Sequence, residues 1–192
     1  MKLRAGRRHD HALHYSNAKD TSRAKIGTMQ AAGNYGIMSP INKNKGEKYM
    51  IKILFCCHGN ICRSPMGEYV LKDMVAKAGR SAEFEIASAA VSREEIGNPV
   101  YPPARRELQK HGISCEGHSA RQVTLRDYHH FDRIYYMDRS NARYLARLLP
   151  ADSDKIRPLL SRDVADPWYT GDFAQTWADI AEGCTRIMEE FA

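Results

Sequence analysis

The chain has 192 residues, 43% of them hydrophobic, with 29 Lys and Arg against 23 Asp and Glu for a formal charge of +6. That hydrophobic share excludes wholesale disorder, and no stretch approaches the roughly 18–20 apolar residues that a membrane-spanning helix needs. Five cysteines, odd in number and unevenly spaced, exclude a disulfide scaffold.

The charge is concentrated at the start of the chain. Residues 1–49 carry ten basic and three acidic side chains, and residues 50–192 carry 19 basic and 20 acidic ones. The segment has no helical or strand period and few branched apolar residues, so it is expected to be disordered. His9, His11 and His14 lack the Cys or carboxylate neighbours that would complete a metal site. The opening MKLRAGRRHDHALHY lacks the apolar core of a secretory signal, although an Arg-rich, acid-poor stretch also fits a transit peptide. Met50 stands directly before the first expected strand. The expected division is therefore a basic, disordered or non-native extension over 1–49 and a nearly neutral domain over 50–192. A nucleic-acid reading of the charge rests wholly on the extension, so no nucleic-acid partner is expected.

Within the domain, Ile51–Cys56 is an apolar run that reads as a buried strand. A polar turn follows. Ser64 and Pro65 then read as the N-cap and first residue of a helix whose stripe is Val70, Leu71, Met74, Val75 and Ala78, with Gly79 as its stop. Phe84 and Ile86 alternate with charges as a second strand. A helix is expected from Pro102 and Pro103 to about His111, closed by Gly112. Asp132–Met137 reads as a strand, Ser140–Leu149 as a helix ended by Pro150, and Ile156–Leu160 as a last strand. Trp177, Ile180, Ala181, Cys184, Ile187, Met188 and Phe191 recur at helical spacing. Strands alternating with helices predict an α/β fold. It would be an open, doubly wound parallel sheet of about four strands, with helices on both faces and a ligand site beyond the strands' carboxyl ends.

The first such end leads into Cys57-His58-Gly59-Asn60-Ile61-Cys62-Arg63-Ser64-Pro65. A cysteine here faces a helix N-terminus with free N–H groups, and a short loop with Gly59 can turn its amides inward as an anion cradle. Arg63 can present a bidentate fork to a phosphate, and Ser64 a hydroxyl to the sulfur. All of these favour a thiolate, which facing a phosphate is a nucleophile for phosphoryl transfer. A buried core thiol is the plainer reading of any one cysteine. A zinc site from Cys56, Cys57, His58 and Cys62 is disfavoured because adjacent residues of an extended chain point to opposite sides, and no further Cys-x2-Cys pair completes it.

The Cys-x5-Arg-Ser pattern resembles the phosphate loop of protein tyrosine phosphatases. The fuller nine-residue motif resembles the low-molecular-weight class, with a likeness that extends over most of 50–192. The resemblance implies a protein tyrosine phosphatase that hydrolyses phosphotyrosine monoesters through a phosphocysteine. Cys57 would be the nucleophile. Arg63 would bind the phosphate together with the loop residues His58, Gly59, Asn60, Ile61, Cys62 and Ser64. No cofactor or metal is implied, because the arginine and the helix end supply the electrostatics.

Such a reaction needs a proton donor for the leaving phenolate. Asp166-Pro167-Trp168-Tyr169 offers one: Pro167 biases Asp166 towards an extended loop conformation, and two aromatic side chains follow. Asp166 alone would read as a turn residue, but in the family an Asp-Pro followed by two aromatics supplies the general acid and the substrate wall. Family members often have Tyr where this chain has Trp168. Ser88 and His118 fall where the family places partners of the loop asparagine, here Asn60. The segments 117–124 (Gly-His-Ser-Ala-Arg-Gln-Val-Thr) and 137–141 (Met-Asp-Arg-Ser-Asn) match as well. His118, Asp138 and Asn60 read as structural supports, and His58, His111, His129 and His130 as surface or packing residues.

Two further points bear on chemistry and selectivity. The resemblance implies that Cys62 can form a reversible disulfide with Cys57, which fits a reducing, cytoplasmic setting. Many family members have tryptophan where this chain has Glu94, and a neutral polar residue where it has Glu95. Here two carboxylates stand at the cleft mouth as part of the substrate wall and would repel acidic flanking sequence.

Sibling readings are weaker. A thioredoxin-coupled arsenate reductase needs two closely spaced resolving cysteines, whereas Cys115 and Cys184 are far apart in the chain. An arginine phosphatase prefers Thr where Ile61 stands. A non-catalytic phosphate-binding module would lose the thiol or the acid. The expected partner is a phosphotyrosine protein or a small aryl phosphate, with phosphate as product and no membrane.

Overall fold

The computed structural model describes residues 49–152 and 154–192. The expected basic extension therefore lies outside the described residues except for Tyr49, whose hydroxyl donates to Asp132 Oδ1 at 2.6 Å. Four strands, β1 (Ile51–Cys57), β2 (Phe84–Ala90), β3 (Arg133–Tyr136) and β4 (Ile156–Pro158), pair in parallel in the order β2-β1-β3-β4. The helices are α1 (Arg63–Lys77), α2 (Pro102–Lys110), α3 (Leu125–His130), α4 (Arg139–Leu148), α5 (Pro167–Thr170) and α6 (Phe173–Glu190).

β1 shows why both faces of the sheet must be covered. Ile53 and Phe55 point into a cluster with Met66, Val70 and Leu71 of α1, Leu108 of α2 and Ile180 and Ile187 of α6. Leu54 and Cys56, one residue out of phase, point into a second cluster with Ile134, Phe131 and Leu145 of α4. All four β1 side chains are fully buried, as expected of a central parallel strand whose alternate residues both find a core. The chain leaves β1 for β2 on one side and returns to β3 on the other. The gap beyond the carboxyl ends of β1 and β3 is thus the topological switch point, where such sheets hold ligands. Cys57 ends β1 at that gap.

Three local expectations change. α1 begins at Arg63 with Cys62 as N-cap and no side-chain cap. Ser64 therefore lies inside the helix, and its hydroxyl is engaged with Cys57 and Asn60 instead. α3, which is too short to show an apolar stripe, is marked by a capping box. Thr124 Oγ1 accepts from Asp127 N, and Asp127 Oδ2 accepts from Thr124 N at 2.8 Å. β3 and β4 are shorter than expected, because their ladders with β1 and with each other extend over only four and three residues.

Candidate active site

The loop between β1 and α1 wraps around the Cys57 sulfur. Ser64 Oγ lies 3.0 Å from Sγ, and the Asn60 amide donates to it at 3.3 Å. Cys57 is 3% exposed. The α1 N-terminus, with neither a side-chain cap nor an acidic residue in its first turn, keeps its positive end directed at this loop.

The sharp turn falls on Asn60 and not on Gly59. Asn60 has φ of 60° and is the single non-glycine residue with positive φ among those described, a conformation that asparagine tolerates better than most. Its side chain is fixed on three sides: Nδ2 donates to Ser64 Oγ at 2.9 Å and to Ser88 Oγ at 2.8 Å, and Oδ1 accepts from Arg121 N at 3.1 Å. His118 Nε2 donates to the Asn60 carbonyl at 2.8 Å. Ser88 in turn donates to Glu68 Oε2, and Lys72 holds the other carboxylate oxygen, each at 2.5 Å. Ser88 and His118 both hydrogen-bond to Asn60, and Glu68 adds a buried anchor that sequence reasoning missed. Gly59 also leaves room for a neighbour: a Cβ there would lie 2.9 Å from Glu95 Cγ, so that side chain would have to shift.

Arg63, 3% exposed, directs its guanidinium at two carboxylates: Nη1 donates to Asp138 Oδ2 at 2.6 Å and Nη2 to Asp166 Oδ2 at 2.5 Å. Burial disfavours the cation, but the Cys57 sulfur and the two carboxylates outweigh it and hold the guanidinium above its usual range. Asp138 also caps α4 by accepting from Asn141 N at 2.7 Å. Asp166 caps the four-residue α5 by accepting from Trp168 N at 3.1 Å. Cys62 sits beside Cys57 as a buried thiol, pushed up by burial first and then by the neighbouring Cys57 and Asp166 charges. Cys56 and Cys184 are likewise pushed up by burial.

These groups floor a cavity of about 470 Å³. It is lined by Cys57, His58, Gly59, Ile61, Cys62 and Arg63 of the loop, by Glu94 and Glu95 after β2, and by Asp138, Asp166, Trp168 and Tyr169. Asn60, Ser64, Ser88 and His118 stand behind the lining as its support. Trp168 packs on Tyr101 with ring centroids 5.4 Å apart, and Tyr169 is almost fully exposed. His58, a loop residue that also reads as a surface histidine, is part-exposed at the cavity mouth, with Nε2 3.0 Å from Glu94 Oε2. Ser140, Asn141 and Tyr144 of α4 complete the lining. Their part in it follows from β3 lying next to β1, which no local pattern reveals. His111 stacks on Trp177 with ring centroids 3.6 Å apart, away from the pocket, as a packing residue. No group of three or more His, Cys, Asp or Glu side chains is arranged to hold a metal ion among the described residues.

A buried sulfur at a helix N-terminus, a buried cation and a carboxyl beyond it are the kinds of group that phosphoryl transfer through cysteine requires. Residues 52–192 match the family model of the low molecular weight phosphotyrosine protein phosphatase. The chain is 37% identical to the low molecular weight protein-tyrosine-phosphatase YfkJ of Bacillus subtilis, over 72% of this chain and 94% of that protein. It is 36% identical to the human low molecular weight phosphotyrosine protein phosphatase, over 75% of this chain and 98% of the human protein. The fold superposes on the crystal structure of YfkJ with a TM-score of 0.70, covering 73% of this chain and 94% of that one. It superposes on the low molecular weight protein tyrosine phosphatase of Streptococcus pyogenes with a TM-score of 0.68 at 34% identity, covering 74% and 94%.

Proposed function

The chain belongs to the low molecular weight phosphotyrosine protein phosphatase family and is a protein tyrosine phosphatase, and on that footing we propose that it works through a phosphocysteine on Cys57. The Sγ lone pair attacks phosphorus as the bond to the tyrosyl oxygen breaks, and Asp166 passes its proton to that oxygen. Water then attacks phosphorus, Asp166 takes up the water proton, and the sulfur–phosphorus bond breaks to release phosphate. Arg63 and the loop N–H groups hold the three peripheral oxygens in both steps.

The observation that carries this reading is the pair of contacts at Arg63. Its Nη2 meets Asp166 at 2.5 Å in the same pocket that Cys57 lines, which supports one site for the cation, the sulfur and the carboxyl that the mechanism needs. Residues 50–192 are taken as the catalytic unit, the loop 57–64 as the phosphate-binding loop, and phosphotyrosine in proteins or small aryl phosphates as substrates. A thiolate-dependent enzyme with five free cysteines suits a reducing compartment, and this supports a cytoplasmic placement. No membrane or nucleic-acid partner enters the proposal.

Turnover of p-nitrophenyl phosphate tests it. Cys57→Ser is expected to abolish turnover while retaining phosphate binding. Asp166→Asn is expected to slow poor leaving groups by about 10²–10⁴ and good ones far less. Undiminished turnover by Cys57→Ser sinks the assignment.

A further inference from the structure

Strand order decides from which side each part of the pocket wall arrives. Glu94 and Glu95 follow the edge strand β2, and Trp168 follows the opposite edge strand β4. Tyr144 lies on α4, which packs through Leu145 onto the Leu54 and Ile134 face of the sheet. Trp168 packs on Tyr101, whose ring also meets Phe173 of α6 on the other face. Tyr144 and Trp168 therefore reach the same cavity from opposite faces of the sheet.

Tyr144 is one of the few large, partly apolar side chains left exposed, at 38%. Its ring meets the His58 ring edge-on, with centroids 5.6 Å apart and planes at 74°. The Arg147 guanidinium lies 5.9 Å from its centroid. His58 Nε2 is bonded to Glu94 Oε2 at 3.0 Å. Tyr144, His58 and Glu94 thus form a continuous wall from α4 to the loop after β2, and all three line the cavity. The Glu94 side chain is 71% exposed, at the lip of that wall. Glu95 stands beside it, with its carboxylate accepting from Asn98 at 2.6 Å.

Taking the cavity as the phosphotyrosine site, we propose that Tyr144 is a specificity-determining residue, the second wall that holds the substrate ring against Trp168, and that the Glu94–Glu95 lip favours a substrate with lysine or arginine beside the phosphotyrosine. A ring with an aromatic side chain on each side is shed of water on both faces, and a cation next to it meets two carboxylates. The groups of opposite sign nearby are Arg63 in the cavity, already held by Asp138 and Asp166, and, outside its lining, Arg93 directly before Glu94 and Arg139, Arg143 and Arg147 along α4. Arg147 is already engaged over Tyr144.

The test is steady-state hydrolysis of phosphotyrosine peptides that carry Lys, Ala or Glu beside the phosphotyrosine, with inorganic phosphate as competitive inhibitor. Tyr144→Ala is expected to raise KM about tenfold, with the loss falling on KM more than on kcat. Tyr144→Phe restores KM to within about twofold. The inhibition constant of phosphate, which needs only the loop, is expected to move less than about twofold in both variants. The wild-type enzyme is expected to prefer the Lys peptide over the Glu peptide by about five- to tenfold in kcat/KM, and the double variant Glu94→Gln, Glu95→Gln to lose that preference.

An unchanged KM in Tyr144→Ala overturns the wall, as does an equal loss of phosphate affinity. A preference for the Glu peptide overturns the lip and assigns flank reading to the arginines around it, Arg93 and those of α4. A wild-type enzyme that hydrolyses none of the peptides overturns the phosphatase reading itself, and the wall with it.

Discussion

Replacing Asn60 separates the backbone demand of the phosphate loop from its hydrogen bonds. The residue is completely buried, sits at φ 60°, and makes three side-chain hydrogen bonds, to Ser64, Ser88 and the Arg121 amide. Alanine loses all three, at about 1 kcal/mol each, and meets a left-handed backbone that costs a further 1 kcal/mol or so. The expected loss for Asn60→Ala is therefore about 4 kcal/mol, which for a domain of this size is roughly a 10 °C fall in Tm. Glycine accepts the backbone and loses only the bonds, so Asn60→Gly is expected to cost about 3 kcal/mol. Urea unfolding followed by tryptophan fluorescence reads both values. Because Ser64 loses the partner that aims its hydroxyl at Cys57, both variants are also expected to lose most of their kcat/KM at temperatures where they remain folded. An alanine variant within about 0.5 kcal/mol of wild type refutes the reasoning. So does a glycine variant less stable than the alanine one, because the loop would then not depend on the left-handed turn.

Two further predictions concern acid stability and oxidation. Burial works against the Asp127 charge, but the Arg121 and Thr124 hydrogen bonds outweigh it and lower its pKa below the ordinary carboxylate value. Its contribution is therefore present above about pH 4 and is lost as pH falls through the lower folded value. The Tm difference between wild type and Asp127→Asn is expected to be largest near pH 6 and to shrink below about pH 4. A difference that grows on acidification reverses the sign and refutes the assignment. Mild peroxide is expected to inactivate the enzyme in a way that a thiol reverses, and Cys62→Ala to make the same loss irreversible. Identical recovery of the two proteins removes Cys62 from any protective role.

The elements that were legible in the sequence are those whose signal is local. β1 reads as a strand because every residue from Ile53 to Cys56 is apolar, and it is apolar because both faces of a central strand are buried. The loop from Cys57 to Ser64 reads as a phosphate cradle because its chemistry is contiguous. α3 was obscured because its evidence is a cap and not a stripe: Thr124 and Asp127 satisfy each other while most of the helix stays in solvent. Gly59 suggested the turn by residue type, yet the positive φ belongs to Asn60, whose side chain is held by Ser64, Ser88 and the Arg121 amide, partners that spacing alone does not bring together. Tyr144 and Glu68 were invisible for the same reason. One becomes part of the mouth because β3 lies beside β1, and the other becomes an anchor because β2 brings Ser88 over α1.

The two carboxylates on Arg63 hold it from different kinds of structure, and this sorts their roles. Asp138 takes Nη1 and is the N-cap of α4, a ten-residue helix packed through Leu145 and with Leu149 at its end. Moving it would cost a cap and disturb a packed helix, so it keeps the guanidinium aimed into the pocket. Asp166 takes Nη2 from the start of a four-residue helix whose following aromatics are largely exposed. In the proposed mechanism, a phosphate held between the loop amides and Arg63 would compete with Asp166 for Nη2 and leave Nη1 with Asp138. Substrate arrival would thereby free the Asp166 carboxyl for the leaving oxygen while Asp138 keeps the cation fixed. The anion affinity that the proposed mechanism requires would rest on this one buried arginine and the end of α1. The formal charge of the whole chain arises from residues 1–49 and says nothing of the pocket.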